Sequence, residues 1–374
     1  MRISDIDVTR GDGGAELAGS IDGFRLFFRF PASLQVSKRG DAFLAAALLP
    51  AMRASEPIEV DPRYPVSPRL LAGVTSIQDV FATWDPALKR VVVDARAEPD
   101  SAVNDGVGSF FSGGVDGLYT LLKHADEVTD LLFVQGIDMQ VDNDELFAEV
   151  LRANEHFARA RGKRLIPIQS NLRRFCHPRG VPWTVYNGAG LASLGLALSL
   201  RKIFIASSHT YRELLPWGSH PLTDPLWSTE GVSFVHDGAE ATRTQKVSLL
   251  GRDRDALAIL RVCWQDKGYN CGRCEKCLRT MTSLRLLGLS SERLPRLETL
   301  DAVRKLVLWD ESSRGFWDET LKLAETVGDR AVATAVRRLV SRHDLRRALS
   351  RLGDTFAGGR VKSWYRAVRA AITG

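Results

Sequence analysis

An α/β fold organised around a doubly wound parallel sheet, with an α+β unit before it and a helical extension after it, is predicted by three features of the sequence. Short apolar strands alternate with helical segments between residues 104 and 235, a glycine-containing polar turn separates the first of these strands from its helix, and the chain of 374 residues is 44% hydrophobic and 26% charged. That composition supports a large buried core. Strands separated by helices of about ten or more residues pair in parallel through right-handed crossovers, and such sheets bind ligands at the carboxyl ends of their strands.

In chain order, alternating polar and apolar residues at 3–9 and 24–30 predict strands, the apolar run 42–54 a helix, and 91–93 a further strand. Residues 1–100 therefore read as an N-terminal α+β domain without evident chemistry. The second domain, 101–289, carries strand patterns at 108–111, 131–134, 165–168, 203–206 and 232–235, and helical patterns at 115–124, 145–161 and 188–200. From about 290 to 374 the pattern is helical, with turns expected at Gly315, Gly328 and Gly353.

The N-terminus, MRISDIDVTRGDGG, carries early acidic residues and lacks the apolar stretch of a signal peptide, and the chain has no apolar run of eighteen residues. A cytoplasmic protein with no membrane partner is the expectation. The net charge is +6, but residues 330–374 hold eleven Lys/Arg against Asp344 and Asp354, so the basicity belongs to the tail. Arg337, Arg338, Arg342, Arg346, Arg347 and Arg351 interleave with Val336, Leu339, Val340, Leu345, Leu349 and Leu352 at helical spacing. A solvated or inter-subunit face is favoured there over a nucleic-acid surface.

The first chemical motif is the segment 109–120, SFFSGGVDGLYT. Gly113 and Gly114 let backbone N–H groups approach an oxyanion, the following helix offers its positive N-terminus, Ser112 adds a hydroxyl, and Asp116 is placed to hold Mg²⁺ on a nucleotide. A ligand-free strand-to-helix turn is the plain alternative. Neither GxxxxGK[ST] nor a helix-opening GxGxxG is present here. The second motif, Cys263-x7-Cys271-x2-Cys274-x2-Cys277, gathers four of the five cysteines within fifteen residues. Four thiolates at this spacing suit tetrahedral Zn²⁺ in a structural site without an open position, with an iron–sulfur cluster as the alternative. Gly272 permits a tight turn, and Arg273, Lys276 and Arg279 offset the charge of the thiolates.

Ser112 to Asp116 resemble the SGGxDS/T signature of the PP-loop ATP pyrophosphatase superfamily, departing from it at Gly117, where a hydroxyl is lost. The cysteine motif is similar to the zinc-binding part of 7-cyano-7-deazaguanine synthases within that superfamily. The resemblance covers about residues 104–289. It implies a sheet of the HUP/PP-loop type and an ATP-dependent ligase or amidotransferase. Such an enzyme adenylates a carboxylate or amide-type oxygen of a small-molecule acceptor and transfers nitrogen from ammonia or a separate donor protein, releasing AMP and pyrophosphate. ATP, Mg²⁺ and Zn²⁺ are the implied cofactors, and members are often homodimers. The nucleotide site would comprise Ser112, Gly113, Gly114, Val115, Asp116 and Gly117, with Gln135 and Gly136 at the adenine and ribose, and Arg243 and Lys246 on the phosphates. A salt-bridged surface helix accounts equally for Arg243 and Lys246.

On the acceptor side, His209, Ser219, His220 and Asp224 are candidates because they cluster in loops after a strand, with His209 or His220 as a general base for the incoming amine. Trp183, Trp217 and Trp227 are candidates for lining the pocket of a planar substrate, or for packing. Cys176 lies among Arg174, His177 and Arg179, which would lower its pKa if it served as a sulfur carrier in a sulfurtransferase; a buried thiol is the plainer reading. A non-catalytic nucleotide- or nucleic-acid-binding protein is the remaining alternative.

Overall fold

The structure is a computed structural model that describes residues 1–11, 13–101 and 105–356, the side chains of 351–356 excepted. The described residues divide into two compact units: one comprises 1–271 with 291–294, the other 272–290 and 295–356.

The first unit opens with β1 (Arg2–Gly11), β2 (Gly14–Ile21) and β3 (Phe24–Phe30), an antiparallel meander. Asp22 and Gly23 join β2 to β3 with φ of 48° and 76°, the two left-handed residues that a type I′ hairpin requires. Then come α1 (Asp41–Ala54), β4 (Ile58–Val60), α2 (Pro68–Trp84) and β5 (Val93–Asp94). Helix α1 is apolar all round and buried along nearly its whole length. Helix α2 starts where Ser67 accepts from Leu70 N–H at 3.1 Å and Pro68 occupies the first helical position. Neither β2 nor α2 is among the elements predicted from the sequence.

The alternating region supplies β6 (Val107–Phe110), α3 (Val115–Lys123), β7 (Asp130–Gln135), α4 (Asp144–Ala160), β8 (Arg164–Ser170), α5 (Leu172–Cys176), α6 (Trp183–Leu196), β9 (Lys202–Ala206), β10 (Ser233–Asp237), α7 (Arg243–Leu250) and α8 (Arg254–Ala258). All ten strands form one sheet in the order β10-β9-β6-β7-β8-β3-β2-β1-β4-β5. The five strands β6 to β10 are mutually parallel, whereas β3 joins β8 antiparallel through Phe28↔Ser170 and Arg29↔Gln169. The sheet therefore runs without interruption across the boundary at residue 100. Strand order reverses between β6 and β9: from β6 the chain moves one way to β7 and β8, then returns to β9 and β10 on the other side.

The second unit is helical, with α9 (Glu275–Leu286), α10 (Asp301–Lys305), α11 (Glu311–Val327) and α12 (Arg330–Phe356). Gly328 caps α11 at φ 78°, as a helix-ending glycine does. Gly315 and Gly353 lie inside α11 and α12, not in the turns expected there. At Gly315 the helix-propensity cost of about 1 kcal/mol is outweighed by burial of the adjacent Phe316 and Trp317. The basic face of α12 is partly used within its own unit: Arg337 meets Glu325 at 2.6 Å, Arg342 donates to the Leu306 carbonyl at 3.3 Å, and Arg347 pairs with Glu311. Asn104, at the expected start of the α/β region, and Arg360, Lys362, Arg366 and Arg369 of the basic tail lie outside the described residues. Among the described residues no helix is long and apolar enough to cross a membrane.

Candidate functional site

At a reversal of strand order the two flanking loops diverge and leave a crevice beyond the strand ends. Here those loops are 111–114 after β6 and 207–209 after β9. Gly113 adopts φ +75°, and a Cβ there would lie 3.0 Å from the Ile259 carbonyl oxygen and 3.1 Å from Asn154 Oδ1. Gly114 is the N-cap of α3 and its carbonyl accepts from Leu118 N–H at 2.9 Å. Gly117 faces the strand it follows: a Cβ would stand 3.0 Å from the Phe110 carbonyl oxygen, so the glycine lets α3 lie against the end of β6. Asp237 on β10 anchors the same helix, bonding Thr120 Oγ1 at 2.8 Å, Lys123 Nζ at 2.9 Å and His124 Nε2 at 2.9 Å. Burial raises the pKa of Asp237, but its bonds to Lys123, His124 and Thr120 outweigh that and hold it below the usual carboxylate value.

Asp116, on the first turn of α3, faces α7. Its Oδ1 lies 3.1 Å from Lys246 Nζ, its Oδ2 lies 2.9 Å from Arg243 Nη2, and Ser208 Oγ donates to Oδ2 at 3.4 Å. Lys246 Nζ also donates to the Ser207 carbonyl at 2.6 Å, and its side chain is only 2% exposed. Helix α7 is held in register by a capping box in which the Thr242 hydroxyl accepts from Gln245 N–H and the Gln245 side chain accepts from Thr242 N–H. Arg243 and Lys246 are salt-bridged to Asp116, as the plain alternative has them, but on the buried face of α7 rather than on its surface. Two cations thus converge on one carboxylate in the first turn of α3, beside the helix N-terminus.

A second polar pair flanks the same turn and was not foreseen from the sequence. Asn154 of α4 is 0% exposed and Arg261, whose N–H donates to the Gly113 carbonyl at 2.9 Å, is 2% exposed. Among the described residues, Asn154 Oδ1 and Nδ2 and Arg261 Nε and Nη2 have no hydrogen-bond partner. A signal for Asn154 existed in the sequence. It lies on the apolar stripe of α4, in line with the buried Leu146, Val150 and Phe157.

Gln135 and Gly136 have structural work at the end of β7. Gln135 is buried, donates to Asp144 Oδ1 at 3.0 Å, and accepts from Gln169, its register neighbour on β8. Gly136 has φ +98°, and a Cβ there would fall 1.9 Å from the Ser170 carbonyl oxygen. His209 follows Ser208 directly and meets Trp217 edge-on at 5.3 Å. Asp224 accepts from Ser219 Oγ at 2.7 Å and from His220 N–H at 3.2 Å, and His236 Nδ1 lies 2.7 Å from it. His220 meets Trp84 edge-on at 4.9 Å, and its Nδ1 accepts from Leu222 N–H at 3.1 Å. Burial, with the neighbouring His236 adding to it, lowers the His220 pKa, which favours this neutral accepting ring. Trp227 is fully buried in the core, and Trp183 packs against Tyr186 at 5.9 Å.

Cys176 is buried, and desolvation pushes its thiol up to about 12 despite the charge of Arg173. This is the buried thiol of the plainer reading of the sequence: exclusion from water penalises the thiolate more than neighbouring cations favour it. In the folded protein Cys176 is expected to resist alkylation by iodoacetamide at mildly alkaline pH, and Cys176→Ser to leave ligand binding and turnover unchanged. Rapid alkylation by mass spectrometry would contradict the burial.

The other four cysteines converge: the sulfurs of Cys263, Cys271, Cys274 and Cys277 all lie within 4.8 Å of one another, a cluster that could hold a metal ion. Tetrahedral Zn–S bonds of about 2.3 Å place sulfurs roughly 3.8 Å apart, so the set is close to that geometry. Asn270 shapes the approach, accepting from Val262 N–H at 2.9 Å and Cys263 N–H at 3.1 Å while donating to the Leu260 and Arg293 carbonyls, each at 2.9 Å. Gln265 N–H points at Cys263 Sγ at 3.3 Å. Gly272 takes φ +69° between the second and third ligands. Cys274 is the N-cap of α9 and Cys277 lies in its first turn, where the helix dipole favours thiolates. Arg279, two residues after Cys277 on α9, lies 3.5 Å from Glu275 and 3.9 Å over the Phe316 ring. Compared with known protein families, curated proteins and solved structures, the chain matches none.

Proposed function

We propose that the chain is an ATP-dependent ligase of the AMP- and pyrophosphate-forming type, acting on a small-molecule acceptor. The observation that carries this reading is Asp116, placed at the N-terminus of α3 beside the Gly113–Gly114 turn and paired with Lys246 and Arg243. The chemistry of these donors fits a magnesium nucleotide: backbone N–H groups and two cations for phosphate oxygens, and a carboxylate for a hard divalent ion. In the reaction an acceptor oxygen attacks the α-phosphorus, and the bond to the β-phosphate breaks with pyrophosphate leaving. A nitrogen nucleophile, from ammonia or a separate donor protein, then displaces AMP and loses a proton. Lys246 and Arg243 would stabilise the charge that gathers on pyrophosphate, and His209, next in the chain to the Ser208 that bonds Asp116, is the candidate acceptor of that proton. The four cysteines would hold a structural Zn²⁺ with no open position. A sulfurtransferase based on Cys176 is disfavoured by its burial, and a nucleic-acid surface is weakened by the internal pairing of Arg337, Arg342 and Arg347.

Calorimetry with ATP, with and without Mg²⁺, tests this reading in the wild type and in Asp116→Asn. Magnesium is expected to tighten ATP binding at least tenfold in the wild type, about 1.4 kcal/mol. The Asn variant, relieved of a negative charge but deprived of a metal ligand, is expected to bind ATP to a similar extent with and without the metal. Absence of ATP binding in the wild type would sink the proposal. Pyrophosphate release then serves to screen acceptors.

A further inference from the structure

Arg261 is a buried guanidinium with its Nε and Nη2 edge unmatched, and no acidic side chain pairs with it among the described residues. Acids on neighbouring elements are engaged elsewhere: Asp253 by Arg161 at 2.6 Å and Glu149 by Arg293 at 3.1 Å. The Tyr269 hydroxyl is also taken, donating to the Ile259 carbonyl at 2.7 Å. An uncompensated buried charge is strongly unfavourable, and a buried amide lacking all partners adds to that cost. Both residues border one feature, the Gly113 turn: Asn154 Oδ1 is 3.1 Å from the position of a Cβ on Gly113, and Arg261 passes it with its Cβ at 3.8 Å and its backbone N–H on the Gly113 carbonyl at 2.9 Å. The Nε–Nη2 edge is the fork with which arginine grips two oxygens of one oxyanion, and a rotated Asn154 amide offers a further donor.

We infer that Asn154 and Arg261 form a buried oxyanion site on the α4 side of the Gly113–Gly114 turn, taking a phosphate or pyrophosphate group. Asp116, Lys246 and Arg243 occupy the α7 side. Assignment of that group to a nucleotide rests on the ligase reading above; the affinity for the oxyanion does not.

The test uses the full chain, inorganic pyrophosphate and ATP with Mg²⁺ as probes, and calorimetry with thermal melting as readouts. Wild type is expected to bind pyrophosphate and to melt at higher temperature in its presence. Arg261→Met, similar in length but neutral, is expected to bind pyrophosphate at least tenfold more weakly, yet to melt no lower than wild type without ligand, because an unmatched charge has been removed. Asn154→Leu should show the same pattern, and Arg261→Lys, which keeps the charge but loses the fork, should also weaken binding. Unchanged pyrophosphate binding in Arg261→Met would overturn the inference, as would a lower melting temperature in both neutral variants, which would mean that ordered water already satisfies these groups. If wild type binds ATP and Arg261→Met binds it equally, the inference falls while the ligase reading stands. Pyrophosphate binding that depends on Arg261, without any ATP binding, supports the inference with a free phosphate as ligand and removes the ligase reading. Failure of wild type to bind either probe overturns the inference.

Discussion

Cys263→Ser is expected to weaken zinc binding, so that a mild chelator which leaves the wild type loaded strips the variant, and to lower the melting temperature by about 6–12 °C. Structural zinc contributes roughly 10–16 kcal/mol in small domains that fold around it, so losing a quarter of that is about 3 kcal/mol, and each kcal/mol corresponds to roughly 2–4 °C in a domain of ordinary size. Cys263 is the apt position because it is the ligand furthest in sequence from the other three, and Asn270, which holds its backbone, also grips the carbonyls of Leu260 and Arg293. Loosening that ligand releases a segment whose Arg261 borders the Gly113 turn through a 2.9 Å backbone bond. The effect should therefore reach oxyanion binding as well as stability. Metal analysis of the purified wild type decides the element: zinc without visible absorbance is expected, whereas a broad visible band with iron would replace zinc by an iron–sulfur cluster. A metal-free wild type with the same melting temperature as Cys263→Ser would exclude a structural metal.

The parts of the site that were legible in the sequence are those carried by contiguous residues with restricted geometry. The glycine turn could be read because a strand, two glycines and a helix opening follow one another within a few residues, and the cysteine set because short CxxC spacings reach a common point. Resemblance alone put Arg243 and Lys246 on the phosphates; their pairing with Asp116 was not foreseen, since no local pattern ties residues this far apart in the chain. Asn154 and Arg261 were missed for a different reason. Their importance lies in the partners they lack, a property of packing, although an asparagine on the apolar stripe of α4 was a visible anomaly. In the fold, β2 escaped notice because two of its four inward positions are small: Ala15 and Gly19 alternate with Leu17 and Ile21, and at Gly19 the Phe43 ring is 2.7 Å from where a Cβ would lie. The Asp22-Gly23 pair was the unused hairpin signal, and pairing of β3 with β8, which extends the parallel strands into a ten-stranded sheet, has no local signature at all.

Gly136→Ala is expected to destabilise the protein by about 3–5 kcal/mol, whereas Gly114→Ala should cost less than about 1 kcal/mol. Both glycines were assigned to nucleotide binding from the sequence, and the structure separates their roles. At Gly136 the backbone lies at φ +98°, where an alanine is strained by about 1–3 kcal/mol, and the methyl would fall 1.9 Å from the Ser170 carbonyl oxygen, forcing the ends of β7 and β8 apart. That movement would also disturb the Gln135–Gln169 bond between the same strands. At Gly114 the backbone is extended, with φ −81° and ψ 163°, and a Cβ meets only Ser112 Oγ at 3.3 Å and the Arg261 carbonyl oxygen at 3.4 Å. An alanine is tolerated by the fold there, but its methyl group stands beside the turn to which the proposed oxyanion would bind. Chemical denaturation paired with pyrophosphate titration distinguishes the two: Gly136→Ala should lose stability with or without ligand, and Gly114→Ala should keep its stability and lose affinity. A stable Gly136→Ala that no longer binds ATP would restore Gly136 to the nucleotide site and show that β7 and β8 can part without cost.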